Sequence, residues 1–240
     1  MKPPKKLSLL IGTPMFGGLA YYHYVGSMMD ITGYCVVNGI KLKAQFIANE
    51  SLIGRARNRI AQMFLQSDAD KLFFIDADIG WTVPDFARIL ESNKLVIGGI
   101  YPGKAFPIEL MANALPEHNE TFDFRVRSLE QLQALDKQYG NSRGEVEVRH
   151  VPTGFLMIDR SVLERLKPHV RTYATHALGT KEEVQMWDFF PSGALESGEY
   201  ESEDWAFCRL VRTHLDCRVW LNTRTVLSHT GTHTFKAGHI

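Results

Sequence analysis

Long apolar runs, paired cysteines and an excess of charge of either sign are all missing from this 240-residue chain. No stretch approaches the roughly 18 apolar residues that a membrane helix needs, so no membrane span is expected. Lys and Arg total 27, as do Asp and Glu, giving a formal net charge of +0. A protein built mainly to grip polyanions would carry an excess of cations, and only a local basic patch stays open. The cysteines are Cys35, Cys208 and Cys217, too few and odd in number for a disulfide framework, which fits a reducing, cytoplasmic setting. The basic start Met1–Lys6 precedes an apolar stretch, Leu7–Ile11, that is too short for a signal-peptide core. Asn49-Glu50-Ser51 and Asn119-Glu120-Thr121 match the N-glycosylation pattern, and without a signal peptide they read as chance matches. There is no G-x-x-x-x-G-K-[ST], so a P-loop is excluded, and no G-x-G-x-x-G after the first strand, so a dinucleotide site is unsupported. The tail histidines His229, His233 and His239 lack zinc-finger spacing, and Gly231 interrupts any helix carrying the first two.

What is present is a globular composition. Apolar residues make up 45% and charged residues 22%, which excludes a disordered or fibrous chain, and the length suffices for a core without staples. Leu7–Ile11 reads as a first buried strand, broken by Gly12-Thr13-Pro14. Leu19–Met29 reads as a helix ending near Gly33, followed by a short apolar run, Tyr34-Cys35-Val36-Val37. In Ser51–Gln66 the apolar positions Leu52, Ala56, Ile60, Met63 and Phe64 are spaced by three and four, the mark of an amphipathic helix. Leu72–Ile75 is too short for a helix and reads as a fully buried strand. Pro84 suits the first turn of a helix over Asp85–Glu91. Leu95-Val96-Ile97 reads as a strand stopped by Gly98-Gly99. Strands alternating with helices predict an α/β fold with a mostly parallel sheet.

Residues 103–149 lose this regularity and read as an insertion, with a helix over Ser128–Tyr139 and a turn at Gly140–Gly144. Val151–Ile158 resumes a strand. Ser161-Val162-Leu163-Glu164 reads as a capping box for a helix that ends before Pro168. Residues 180–202 mix Gly, Ser, Pro, Glu and aromatics without a period, as active-site loops often do. Ser202 then caps a helix through Leu215, with Ala206, Phe207, Leu210 and Val211 on one face.

The sharpest chemical feature is Asp76-Ala77-Asp78 directly after a buried strand. Two carboxylates at i and i+2 there project into the crevice where α/β sheets bind ligands. They repel unless a cation or a proton sits between them, and oxygen ligands suit Mg²⁺ or Mn²⁺. A charged strand-to-helix turn without a ligand is the plain alternative. Arg55, Arg57 and Arg59 bring cationic donors from the preceding helix, Arg55 and Arg59 on one face and Arg57 on another. Trp81, Trp187 and Trp205 could each stack on a ring or serve as core.

The order of these features resembles the family 2-like glycosyltransferases of the GT-A fold, including small phage-encoded members. The likeness rests on Gly54-Arg55-Ala56-Arg57-Asn58 before the strand Leu72–Ile75, Asp76-Ala77-Asp78 after it, and Thr153–Arg160 as a glycine-containing strand. Glu203-Asp204-Trp205 resembles the family's "ED" helix, and His229-Thr230-Gly231 its "H-x-G". It covers Leu7 to Gly231.

The resemblance implies a Rossmann-like, single-domain α/β/α sandwich over residues 1–240. It implies nucleotide-sugar contacts at Thr13, Pro14, Arg55, Arg57, Asn58, Asp76 and Ala77, and a Mn²⁺ or Mg²⁺ ion held by Asp76, Asp78 and His229, with His233 as the competitor. Acceptor contacts fall at Thr153, Gly154 and Trp205. Asp204 would be the base of an inverting transfer, with Glu203 as its substitute. The first turn of a helix favours negative charge, which also accounts for both acids without any catalysis. The donor would be a UDP- or GDP-sugar, giving a hexosyl- or pentosyltransferase. The acceptor would be a glycan, lipid, protein or modified DNA base. Two other readings stand beside this one. A haloacid-dehalogenase-like phosphatase also uses D-x-D after a strand, but on its first strand and usually followed by Thr or Val, where this chain has Ile79-Gly80. The other is a non-catalytic carbohydrate-binding relative.

Overall fold

The computed structural model describes residues 6–104, 112–114, 124–177 and 179–231. In chain order the elements are β1 (Ser8–Met15), α1 (Tyr22–Val37), β2 (Lys41–Ala48), α2 (Ile53–Gln66), β3 (Lys71–Ile75), β4 (Ile79–Gly80), α3 (Val83–Leu90) and β5 (Val96–Ile100). Then come β6 (Ala112–Ala114), β7 (Phe124–Val126), α4 (Leu129–Tyr139), β8 (Glu145–His150), β9 (Phe155–Asp159) and α5 (Arg160–Leu166). The last are β10 (Thr172–His176), β11 (Glu183–Trp187), β12 (Gly193–Ala194), β13 (Tyr200–Glu201), α6 (Glu203–Leu215), β14 (Val219–Val226) and β15 (Ser228–His229).

Nine strands form one sheet in the order β2-β1-β3-β9-β5-β14-β8-β6-β7. β2, β1 and β3 are parallel neighbours, as are β5 and β14. β9 runs antiparallel between β3 and β5. Following the pairings, β1, β2, β3, β5, β6 and β14 share one direction and only β7, β8 and β9 oppose it.

Alternation along the strands sends side chains to two cores. Leu10, Leu72 and Phe74 face Ile60 and Phe64 of α2, Val162 of α5, and Phe207 and Val211 of α6. Leu9, Ile11, Phe73 and Ile75 face Tyr24 and Ile31 of α1, and Phe86 and Ile89 of α3. The result is an α/β/α sandwich, with the carboxyl ends of β1 and β3 opening at the same edge. No helix among the described residues is long and apolar enough to cross a membrane.

Several local expectations change. β1 does not break at Gly12-Thr13-Pro14 but continues to Met15 along β2. Its pairing with β3 stops at Gly12, so the missing N–H of Pro14 costs no ladder bond on that side. The helix expected to end near Gly33 runs on to Val37 and absorbs the apolar run Tyr34–Val37. Tyr24, Ser27, Ile31 and Cys35 form one continuous buried face, and the turn arrives at Gly39 with φ 67°. β5 runs through Gly98-Gly99. A Cβ on Gly98 would stand 2.6 Å from Val151 Cγ2, and one on Gly99 2.8 Å from Thr225 Cγ2, so these glycines admit close neighbours and do not end the strand.

The strand expected over Val151–Ile158 begins only at Phe155, because residues 151–154 form the turn from β8. The cap of α5 is Asp159, whose carboxylate accepts from Ser161 N, so Ser161 is not the start of a capping box. Residues 180–202 contain β11, paired with β10, and the small β12–β13 hairpin. β2 carries no clear alternation and is an edge strand bearing Lys41 and Lys43, a common protection against edge pairing. Asn119 to Thr121, His233 and His239 lie outside the described residues.

Candidate active site

Where β1 and β3 end, a cleft of about 670 Å³ opens between Pro14, Phe16, Leu19–Tyr21, Glu50, Ile53, Asp76–Asp78 and Lys104. Its floor is the turn Asp76-Ala77-Asp78, whose backbone is held from three directions. Tyr21 N–H donates to Ala77 O at 2.9 Å, Asp76 N–H donates to Gly154 O at 3.0 Å, and Thr230 N–H donates to Asp78 O at 2.8 Å. Segments from both ends and the middle of the chain thus fix the two carboxylates.

The carboxylates have different surroundings. Asp76 accepts from Arg57 Nη2 at 3.1 Å on both oxygens, and Arg57 Nε reaches Glu203 Oε1 at 3.3 Å. Arg57 is buried, and its guanidinium lies 5.4 Å from the centre of the Phe74 ring. Burial pushes Asp76 above the ordinary carboxylate range; Arg57 opposes this, while Asp78 and Glu203 add to it. Burial pulls the Arg57 guanidinium down, but Asp76 and Glu203 more than restore it and leave it raised.

Asp78 feels the same burial, but His229 and Lys104 outweigh it and hold the carboxyl below its usual value. Lys104 Nζ bonds Asp78 Oδ2, while Oδ1 is buried without a hydrogen-bond partner.

His229 arrives on β15, which pairs antiparallel with β4 just past the turn. Its Nδ1 lies 2.8 Å from Pro102 O. A carbonyl can only accept, so Nδ1 carries a hydrogen, and Nε2 lies 3.6 Å from Asp78 Oδ1, where it pairs with that oxygen when protonated and offers a lone pair there when neutral. A buried carboxylate oxygen without a hydrogen bond and an imidazole nitrogen 3.6 Å from it fit a divalent cation. Among the described residues no three His, Cys, Asp or Glu side chains converge on one point. Further coordination would fall to phosphate oxygens and water, as is common for Mg²⁺.

The other sequence-selected residues divide between cleft and support. Pro14 and Ala77 line the cleft, while Thr13 is buried behind it with Oγ1 2.7 Å from Tyr24 OH. Burial raises the Tyr24 hydroxyl to about 12; the Thr13 bond offsets only part of this, and Asp76 adds to it. Arg55 clasps Glu50 through two hydrogen bonds of 2.7 and 2.6 Å, and Arg59 turns to His176 O at 3.1 Å. Asn58 donates to Asp188 Oδ1 at 2.8 Å and accepts from Phe190 N at 3.0 Å, which ties residues 188–190 to α2. Trp81 belongs to the core, and Trp187 lies under Lys167 Nζ.

On the far side, the first turn of α6 presents Glu203, Asp204 and Trp205. Asp204 Oδ1 bonds Ser202 Oγ and accepts from Trp205 N at 2.9 Å. Ser202 therefore precedes the helix without capping its backbone through its side chain. The Trp205 indole, 37% exposed, stacks on His150 with ring centres 4.3 Å apart and planes 3° apart. Thr153 is buried. Gly154 sits where a Cβ would stand 2.4 Å from Tyr101 OH and 3.0 Å from Asp76 Oδ2. Gly154→Ala is therefore expected to push Tyr101 or Asp76 from place and to cost about 1–3 kcal/mol by overpacking. A thermal melt within 1 °C of the parent would refute that.

Lys104, Tyr101, Tyr21 and His150 were not singled out by sequence. Lys104 and Tyr101 follow the apolar strand β5 at the same sheet edge as the D-x-D, and that position was the available signal.

No family model matches the chain, and no curated protein matches it. Among solved structures it is similar to A197 from STIV, at 17% identity over 97% of this chain and 98% of that one, with a TM-score of 0.48. It is similar to GalNAc-T7, solved with UDP, GalNAc and Mn²⁺, at 9% identity over 93% of this chain and 44% of that one, TM-score 0.45. It is similar to S. aureus TarS 1-349 in complex with UDP-GlcNAc, at 11% identity over 98% of this chain and 62% of that one, TM-score 0.44. The chain spans less than two thirds of the latter two.

Proposed function

We propose that this chain is a glycosyltransferase that moves a sugar from a nucleoside-diphosphate sugar to an acceptor hydroxyl, with a divalent metal ion and inversion at the anomeric carbon. The observation that carries the reading is the buried Asp78 Oδ1, which makes no hydrogen bond and faces His229 Nε2 at 3.6 Å on the floor of the cleft. The cleft volume lies within the range of small-ligand sites, about 300–1,000 Å³. Asp78 and His229 would hold Mn²⁺ or Mg²⁺, which would supply positive charge to a departing diphosphate. Lys104 would contribute its ammonium to the same phosphates. Pro14 and the loop after it would receive the nucleoside of a UDP- or GDP-sugar. Asp76, oriented by Arg57, would accept hydrogen bonds from donor hydroxyls.

Asp204 is the proposed base. Both of the hydrogen bonds described for its carboxylate fall on Oδ1, which leaves Oδ2 to take the proton of the acceptor hydroxyl. Glu203 is engaged by Arg57 and would position the site. The flat Trp205–His150 stack suits a sugar or base ring of the acceptor. Residues 180–202 would border that side, and the described elements would act as one catalytic domain.

The reading is tested by thermal shift across UDP- and GDP-sugars, with Mn²⁺ and with a chelator. A matching donor at about 100 times its Kd should stabilise the fold by about 2.7 kcal/mol, and only with metal. No shift with any donor, together with no release of nucleoside diphosphate, would reject it. Asp204→Asn should keep the shift and lower kcat on the order of 10²–10⁴-fold. A product that retains the donor's anomeric configuration would reject inversion.

A further inference from the structure

One stripe along the outer face of α1 carries no charge, with the exposed acid Asp30 beside it. At about 100° per residue, Tyr22, Gly26, Met29, Gly33 and Val36 share one narrow stripe, with Val25 and Val37 on its edges. The opposite face, Tyr24, Ser27, Ile31 and Cys35, is the one packed on the sheet. Exposure along the stripe is 74% at Tyr22, 71% at Met29 and 75% at Val36, and Phe16 and Leu19 extend the apolar patch to the cleft rim. Exposed side chains of this kind normally lie singly on a soluble surface. Here they line four turns of one helix. Nothing stands within 4 Å of where a Cβ would be on Gly26 or Gly33, so another backbone can approach closely there.

The chemistry of the stripe selects its occupant. Helices that lie on membranes carry Lys and Arg on their polar flanks. α1 has neither, and its one acid, Asp30, lies off the stripe. A partner with a charged surface would bury those charges unpaired. A second copy of this chain brings the same uncharged face. Phe16, Leu19 and the exposed α1 residues expose at most on the order of 900 Å² per copy, so covering most of it would approach the about 800 Å² buried per partner in a standard stable interface.

We propose that α1 packs against α1 of a second copy, antiparallel about a two-fold axis near Met29. Residues 22 and 36 are equidistant from 29, so Tyr22 meets the partner's Val36, while Gly26 and the partner's Gly33 fall one residue out of level, about 1.5 Å, along the helices. The partner's Val37 then comes toward Phe16 and Leu19, and the second copy extends the apolar rim of the cleft. This inference does not depend on the reaction proposed above.

Sedimentation velocity at micromolar concentration tests it. The parent protein should be a dimer, and Met29→Glu should weaken it at least about 100-fold, because two carboxylates would be buried at the axis. The circular dichroism of the variant should match the parent's. All three native cysteines are buried, so engineered thiols report cleanly. Met29→Cys should form a disulfide-linked dimer under mild oxidation. Tyr22→Cys alone should not, since its two copies would stand about 20 Å apart along the helices. Mixing Tyr22→Cys with Val36→Cys should. A monomeric parent, a Met29→Glu variant that stays dimeric, or equal cross-linking at residues 22 and 29 would overturn the proposal. Co-sedimentation of a monomeric parent with phosphatidylserine vesicles would also overturn it and assign the stripe to a membrane surface. If Met29→Glu fails to fold, the cross-linking pattern decides alone.

Discussion

Arg57→Met is expected to destabilise the protein by about 2–3 kcal/mol, and so to lower its melting temperature by about 5–10 °C. Arg57 is buried between two carboxylates, 3.1 Å from Asp76 and 3.3 Å from Glu203. Removing the guanidinium leaves two acids facing each other with their shared counter-charge gone. The usual cost of breaking a buried pair is about 3–5 kcal/mol, and it is discounted here because Asp76 and Glu203 keep some contact with solvent. Arg57→Lys should fall between, since one ammonium cannot match a fork that spans both acids. The pH dependence has a definite sign. Asp76 already titrates above its ordinary value, so its ionisation opposes folding, and loss of Arg57 raises it further. The deficit of the variant should therefore shrink as pH falls and grow as pH rises through the carboxylate range. A melting temperature unchanged by Arg57→Met would remove the guanidinium from its assigned place.

Asp78→Ala should abolish turnover while leaving the fold nearly as stable. The expected loss in kcat/KM is at least about 10³-fold, equivalent to about 4 kcal/mol of transition-state stabilisation. Its side chain faces the cleft and keeps some contact with solvent, and its loss frees Lys104 to solvent, so the melt should move by only a few degrees. His229→Ala should lose less, about 10–100-fold, since phosphate and water can replace one nitrogen. Release of nucleoside diphosphate, measured across Mn²⁺ concentrations, reads both variants. Turnover by Asp78→Ala within tenfold of the parent, or full turnover in chelator, would take the metal out of the proposal.

Hydrophobic period made the interior of this fold legible. β3 and β5 are almost wholly apolar and bounded by polar residues, α2 shows its spacing plainly, and Asp76 and Asp78 stand out because an apolar strand precedes them. What escaped was set by contacts distant in sequence. Gly12 and Gly98-Gly99 read locally as breaks, yet they are glycines because Ile60, Val151 and Thr225 press against them. β2 escaped because an edge strand with both faces partly wet has no alternation to show. At the site, the helical period separates Arg57 from Arg55 and Arg59 but does not say which face turns to the carboxylates. The packing of α2 over β1 and β2 sends Arg57 inward to Asp76, while Arg55 and Arg59 serve Glu50 and the β10 hairpin. Lys104 belongs to the turn after β5, where composition gives a single lysine no distinction.

The position of β9 has a consequence for how the chain is made. Among the described residues β5 has two neighbours in the sheet, β9 and β14, and both follow it in sequence. When β5 leaves the ribosome it is wholly apolar and has no strand to pair with until Asp159 has emerged. At about 5–20 residues per second that interval lasts seconds, during which β2, β1 and β3 can assemble as a separate parallel unit. β9 then inserts antiparallel, pairing with Lys71–Ile75 on one side and Val96–Gly98 on the other, and joins the two halves. Such late, non-local closure makes for slow folding and a long-lived sticky edge. A nascent chain arrested between residues 100 and 150 should thus be the form that chaperones hold most tightly.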